Sequence, residues 1–259
     1  MRFAGLVHPV QAAVEAISRR GKMCGSRESS DARPTPGAAR GAYVSSPASG
    51  PLGSGGFPTK CPRSSFANWR NGTMDINEAI SGRRSARDYT AQAVDDETIR
   101  GLIDAAVHAP NASNGQPWTF TVVRDQSLLD RISQDAKSHL LVTLPDGPQS
   151  ARYRTQLSDA TFQIFYHAPA LILISGIAQG PWVVEDCALA AENLMLAAYG
   201  VGLGTCWIGF AQGFLNTSEG KNALGLPATS VPVAPIIVGH PKTETAPVPR
   251  QEPEIRWVG

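Results

Sequence analysis

The stretch Glu185-Asp186-Cys187-Ala188-Leu189-Ala190-Ala191-Glu192-Asn193-Leu194-Met195-Leu196-Ala197-Ala198-Tyr199, followed by Gly200-Val201-Gly202-Leu203-Gly204 and Thr205-Cys206-Trp207-Ile208, organises the rest of the chain around it. Its first fifteen residues leave little polar face. A helix apolar nearly all round is a buried one, covered by the rest of the fold or by a partner subunit. The glycines then turn the chain into a strand from Thr205 to Ile208. Helix, glycines, strand is the reverse of the Rossmann order, and G-x-G-x-x-G is not completed, so the run does not read as a dinucleotide site.

Upstream, Ala170-Leu171-Ile172-Leu173-Ile174 is an unbroken apolar run, which predicts a central strand buried on both faces. Before it lie a short helix through Ile76, Ala79 and Ile80 ending near Gly82, and a second helix N-capped by Asp95. In that second helix Ile99, Leu102, Ile103 and Ala106 recur at i, i+3, i+4, i+7. Pro110 stops it. A β-branched strand over Thr119 to Val123 and a third helix marked by Leu128, Leu129, Ile132 and Ala136 come next. Residues 142–157, with Pro145, Gly147 and Pro148, read as a loop or lid, and Ala160 to His167 as helical. Downstream, a short helix is predicted over Thr217 to Leu224 and a last strand over Val233 to Val238. A Pro-rich end from Lys242 to Gly259 has no helix or strand pattern, yet closes on Ile255, Trp257 and Val258. It is expected to be an arm packed on a surface, that of another subunit included.

Met1 to Thr73 is rich in Ser, Gly, Pro and Arg, poor in acids and without apolar periodicity. It reads as a disordered or wrongly assigned extension, with an organellar transit peptide as the alternative reading. The foldable region is then 74–259. A net charge of +1 and 17% charged residues across 259 residues supply no global field to gather nucleic acid or an anionic membrane. No apolar run approaches the roughly 20 residues that span a bilayer. Cys24, Cys61, Cys187 and Cys206 form no metal-ligand spacing, and no H-x-x-x-H pair occurs, so no metal is expected and a reduced, cytoplasmic setting is. Neither a phosphate-binding G-x-x-x-x-G-K-[ST] loop nor a G-x-S-x-G elbow is present.

Two clusters carry the chemistry. Arg83-Arg84-Ser85-Ala86-Arg87 stands at the end of the first helix, where cations complement the dipole. Guanidinium groups also bind phosphate through paired hydrogen bonds, so the cluster is either a solvated basic turn or an anion site. Ala109-Pro110-Asn111-Ala112-Ser113-Asn114-Gly115-Gln116-Pro117-Trp118 is either an ordinary polar loop or a set of amide and hydroxyl groups suited to the edge of a flat heteroaromatic ring.

Taken with Gly202-Leu203-Gly204-Thr205-Cys206-Trp207-Ile208-Gly209-Phe210 and with Val238-Gly239-His240-Pro241 leading to Pro249-Arg250, these segments resemble the FMN-dependent nitroreductase family, in its order, from about Met74 to Gly259. The resemblance implies an α+β fold with a mainly antiparallel central sheet flanked by helices, and an intertwined homodimer carrying FMN at the interface. It implies that Arg83, Ser85 and Arg250 contact the phosphate and ribityl chain, with Arg84 in the same cradle and Arg87 near the pyrimidine N1 and O2. Pro110, Asn111, Ser113, Asn114 and Gln116 would approach the flavin from the other subunit, and the backbone at Ile208 and Gly209 would meet N5 and O4. Position 111 departs from the serine frequent in relatives.

The activity so implied is an NAD(P)H oxidoreductase working by a ping-pong cycle, with NADH or NADPH as donor and a nitroaromatic, quinone or similar small conjugated acceptor. A fixed guanidinium at Arg87 would stabilise the negative charge that two-electron reduction places on N1 and O2. Phe162, Phe165, Tyr166 and the segment 142–157 are candidates for the acceptor pocket. Two further readings stand beside this one: a specialised flavin enzyme of the same fold, cleaving flavin with oxygen or removing halogen reductively, and an FMN-binding protein without turnover.

Overall fold

The apolar run at 170–174 does become the middle of the molecule. In a computed structural model that describes residues 74–177 and 180–259, β2 (Ala170–Gly176) is buried at every position. It pairs antiparallel with β1 (Trp118–Val123) on one side and with β4 (Val231–Gly239) on the other. β3 (Gly204–Trp207) pairs antiparallel with the far edge of β4, so the sheet order is β1-β2-β4-β3. The register between β2 and β4 shifts at Ile174/Ser175, opposite the stretch from Pro232 to Ala234. A proline has no N–H for the ladder, and a register irregularity is where an interior strand accommodates one.

Because side chains alternate along a strand, β2 feeds two cores. Ile172 and Ile174 pack with Ile99, Leu102 and Ala106 of α2 (Asp96–Val107) and with Ala190, Leu194 and Ala198 of α5 (Val183–Gly200). Leu171 and Leu173 point the other way, to Leu129 and Ile132 of α3 (Gln126–Thr143) and Ala211 and Leu215 of α6 (Gly209–Leu215). The architecture is thus the expected α+β one, a mainly antiparallel sheet flanked by helices. α1 (Ile76–Gly82) lies against α5, and α7 (Ser218–Ala223) opens on the Thr217 side chain, which accepts from the Gly220 N–H. Asp95 caps α2 as its position predicts, its carboxylate accepting from the Thr98 N–H at 2.7 Å.

Two segments differ from their sequence reading. Residues 142–157 are no loop: α3 continues to Thr143, and α4 (Pro148–Ser158) starts with Pro148 in the first helical turn, where a missing N–H costs nothing. Ala160 to His167 is no helix but a chain of turns, with Tyr166 and His167 at φ +53° and +52°. Its backbone groups are claimed by α3. Lys137 Nζ donates to the carbonyls of Asp159 and Phe162, both at 2.8 Å, and Ile164 N–H donates to Ser133 Oγ. Gln163 Nε2 donates to Asp130, and Gln126 Nε2 to the Ala168 carbonyl.

The long helix α5 is buried on the side facing the sheet, but Leu189 is 45% exposed and Glu185 and Glu192 are also on the open side. The C-terminal segment from Thr243 to Gly259 is exposed throughout and has no regular structure, with Trp257 89% exposed, so no surface among the described residues covers it. No helix among the described residues is long and apolar enough to cross a membrane. The predicted extension 1–73 lies outside the described residues.

Candidate functional site

The Arg83–Arg87 segment leaves α1 and runs beside β3. Ala86 N–H donates to the Thr205 carbonyl at 3.0 Å, and Ser85 bridges Thr205 in parallel fashion. Farther on, Thr90 N–H donates to the His240 carbonyl and Lys242 N–H to that of Asp88. The segment is therefore stitched to the ends of β3 and β4. Gly204 permits this approach, since a Cβ there would stand 2.7 Å from the Ala86 Cβ. Gly82 does the same for α1 against α5, its missing Cβ leaving room for the Tyr199 phenol. The glycine turn after α5, singled out from sequence, thus builds a backbone shelf for the basic cluster.

On that shelf Arg83, Arg84, Thr205, Gly202, Pro241 and Thr243 line a cleft. Arg83 Nε is 3.8 Å from Glu192, beyond hydrogen-bond reach, and both Arg83 Nε and Arg84 Nε are buried with no hydrogen-bond partner. Thr205 Oγ1, also buried, has none either. Buried donors of this kind are costly unless a ligand satisfies them, and two guanidinium groups with an adjoining hydroxyl suit an anion. Thr205 was not among the residues singled out from sequence. Its partnerless hydroxyl becomes visible only once β3 is set beside Arg83.

Arg87 points away from this cleft toward a second group. Burial pushes the Tyr166 phenol above its ordinary range, while the positive charge of the nearby Arg87 guanidinium pulls the other way. Burial likewise raises the Cys206 thiol, against the pull of the Arg87 charge and of neighbouring Ser85. Ser85, Arg87, Tyr166 and Cys206 are consequently one neighbourhood. Aromatic rings extend it: Phe162 meets Tyr166 edge-on at 5.7 Å and Phe210 at 6.4 Å, and Tyr153 meets Phe210 at 5.6 Å. Of the sequence candidates for an acceptor pocket, Phe162 and Tyr166 fall here. Phe165 does not, being fully buried in the core.

At Ile208 and Gly209 the backbone narrows the choice of donor. Ile208 N–H is already committed to the Pro235 carbonyl at 2.8 Å. Gly209 opens α6, where an N–H has no intrahelical acceptor, and is the available donor of the two. Arg250 lies in the exposed C-terminal segment and forms no hydrogen bond or ion pair among the described residues. The structure does not bring it to the basic cluster.

The polar loop after Pro110 is held elsewhere. Ser113, Asn114 and Gln116 all have positive φ, at 53°, 53° and 46°, a conformation that asparagine tolerates and other side chains resist. Two carboxamide and carboxylate groups stabilise it. Asn111 Oδ1 accepts from Gln116 N–H at 2.9 Å, and Asp186 Oδ1 accepts from Ala112 N–H at 3.0 Å. Asp186 is 5% exposed and sits in the first turn of α5. Sequence reading missed it, although an acid at the start of an otherwise apolar helix was the available signal. The side chains of Ser113, Asn114 and Gln116 are left exposed.

The two clusters stand at opposite ends of α5: the loop on Asp186 at its start, the arginines beside Thr205 just past its end. Arg83 itself reaches back along the helix to within 3.8 Å of Glu192, six residues beyond Asp186. No metal-binding group of His, Cys, Asp or Glu occurs among the described residues.

The chain is 32% identical over 170 residues to a Methanothermobacter thermautotrophicus protein to which NADH dehydrogenase/NAD(P)H nitroreductase activity is ascribed, covering 65% of this chain and 78% of that one. It is 27% identical to the FMN reductase [NAD(P)H] of Bacillus subtilis, covering 68% and 70%. A Bacteroides fragilis nitroreductase solved with bound FMN superposes with a TM-score of 0.61 at 25% identity, over 72% of this chain and all of the other. The profile of the Nitroreductase family matches residues 80–240, which span both clusters, the shelf at Gly204 and all four strands, and the chain belongs to that family.

Proposed function

We propose that the protein is an FMN-dependent NAD(P)H oxidoreductase of nitroreductase type, active as a homodimer. The observation that carries the cofactor is the pair of buried, unpartnered Nε donors of Arg83 and Arg84 beside Thr205, a site that an FMN phosphate would satisfy. Ser85, set beside Arg87 and Cys206 at the edge of that cleft, would add a hydroxyl toward the ribityl chain. Arg87 supplies a positive charge for the pyrimidine edge of the ring, and Gly209 N–H a donor for its N5–O4 side. When bound, FMN supplies two-electron hydride chemistry between NADH or NADPH and a nitroaromatic, quinone or similar conjugated acceptor in a ping-pong cycle. The protein's own part is to hold the ring with one face open and to place fixed charge where reduction develops it.

The second subunit is inferred from what one chain leaves open. The loop at Asn111, Ser113, Asn114 and Gln116 is anchored on Asp186 and shares no hydrogen bond with the arginine cluster among the described residues. A second copy packed antiparallel along α5 would bring that loop to the neighbouring Arg87. That packing would also cover Ile76, Ile80 and Leu189, which a single chain leaves 59%, 59% and 45% exposed. It would give the C-terminal arm a surface to lie on, bringing Arg250 to the phosphate of the neighbouring site.

Anaerobic titration tests the reading. The purified protein is expected to be yellow, to bleach with one equivalent of NADH or NADPH, and to recover its colour on addition of a nitroaromatic or a quinone with FMN intact. Protein that takes up no FMN refutes the cofactor assignment. Bound FMN that neither nicotinamide bleaches marks a binding protein, and FMN consumed in the presence of oxygen marks a flavin-cleaving enzyme.

A further inference from the structure

The cleft on the Gly204 shelf holds one polar group that the basic cluster does not account for. Tyr199, in the last turn of α5, lines it together with Arg83, Arg84 and Thr205. Its phenol lies directly over the end of α1: a Cβ at Gly82 would come within 2.6 Å of the ring carbon that bears the hydroxyl, and closer still to the hydroxyl itself. Only glycine leaves that space. Tyr89 shows what a tyrosine hydroxyl inside a fold ordinarily does, donating to the Ala86 carbonyl at 2.7 Å. The Tyr199 hydroxyl has no such acceptor, forming no hydrogen bond among the described residues.

Four donors without acceptors therefore belong to residues lining one cleft: the Nε groups of Arg83 and Arg84, the Thr205 hydroxyl and the Tyr199 hydroxyl. Two cations and two hydroxyls suit an anion with several acceptor oxygens, which a phosphate monoester has. Glu244, the carboxylate in the lining, pairs with neither arginine among the described residues, so their place is not taken by the chain itself. The cleft has a volume of about 260 Å³. That is below the roughly 300 Å³ at which pockets begin to take a whole drug-sized ligand, so it suits one end of a flavin nucleotide and not the ring.

We infer that Tyr199 is a further cofactor-binding residue: its hydroxyl, held over Gly82, donates to the phosphate of the bound flavin and makes the cleft prefer FMN to riboflavin, the same flavin without its phosphate. The inference rests on the FMN reading given above and adds a residue to it. It differs from simple packing in one respect. A tyrosine that only fills the gap over Gly82 would support FMN and riboflavin alike, whereas a phosphate ligand supports FMN alone.

The experiment is a pair of titrations, FMN and riboflavin, followed by flavin fluorescence on the full-length wild type and on Tyr199→Phe, which removes one oxygen and keeps the ring. The wild type is expected to bind FMN more tightly than riboflavin. Tyr199→Phe is expected to weaken FMN by about ten- to a hundredfold, the loss of one hydrogen bond to a charged group, and to leave riboflavin unchanged. Tyr199→Leu, a second replacement without a hydroxyl, gives the same comparison, and thermal unfolding shows that each variant is folded. A Tyr199→Phe protein that binds FMN as the wild type does overturns the inference, as does one that loses FMN and riboflavin by the same factor, which would make the tyrosine a packing residue. A wild type that binds both flavins equally refutes instead the placement of the phosphate on the arginine shelf, and one that binds neither refutes the FMN reading beneath both.

Discussion

Asp186 shows how much one carboxylate can hold. Its Oδ1 takes the Ala112 N–H and so anchors the loop in which Ser113, Asn114 and Gln116 keep left-handed backbones. Asp186→Ala removes that acceptor and leaves a buried N–H unsatisfied, a cost of about 1–3 kcal/mol that falls on the loop. FMN retention is therefore expected to weaken by roughly five- to a hundredfold on the same scale, while Asp186→Asn, which keeps Oδ1, stays near wild type. Equilibrium dialysis of FMN against the three proteins decides it, and an alanine variant that binds as well as wild type would show the loop has no part in the site. The same carboxylate also raises the neighbouring Cys187 thiol, after burial, to about 12. Arg250 presents the opposite situation, a charge with no partner among the described residues. Arg250→Ala is expected to weaken FMN by about 1.5–3 kcal/mol, the loss of one charge-assisted bond, and an unaltered affinity would free the arm from the phosphate.

At the scale of elements, periodicity and caps did most of the work, and the failures have a common cause. The cap at Asp95 is local chemistry: its carboxylate accepts from the Thr98 N–H and hydroxyl, bonds that hold its pKa below the usual carboxylate value. A depressed folded pKa means the contribution is present above the unfolded value of about 3.9 and is lost as pH falls through the lower folded one. Asp95→Ala should therefore cost about 1 kcal/mol near pH 7, and thermal melts of the two proteins should converge under more acidic conditions. A gap that persists at pH 2 would assign the cost to something other than the ionised cap. α2, β2, α5 and α7 were legible in the same local way. Residues 160–167 were not, because the groups that prevent a helix there belong to α3, more than twenty residues upstream. α4 was hidden by Pro145, Gly147 and Pro148, which punctuate a loop and open a helix with equal ease. The site divides along the same line. Arg83, Ser85, Arg87 and the Asn111–Gln116 loop announce themselves by residue type, whereas Thr205 and Asp186 matter only through contacts across the fold.

For the whole molecule, the proposed flavin site draws on two segments anchored at different places along α5, the polar loop at Asp186 and the arginines between Glu192 and Thr205. Every residue assigned to it falls after Met74, so protein consisting of 74–259 is expected to bind FMN as the full chain does, and a colourless product would place part of the site in residues 1–73. The dimer itself is tested at Leu189, which stands on the open side of α5 and contributes to neither cluster. Leu189→Arg places a charge on a position that is solvent-exposed in the isolated chain, where a substitution ordinarily changes stability by no more than about 0.5 kcal/mol. Across an apolar interface the same charge is buried, met by its symmetry mate, and strongly unfavourable. The variant is thus expected to keep its helical circular dichroism, to sediment as a monomer, and to lose bound FMN although Arg83, Arg84, Ser85 and Arg87 are untouched. Sedimentation equilibrium with FMN absorbance recorded in the same cell reads both quantities at once. A folded monomer that retains FMN at wild-type affinity would show that one chain completes the site.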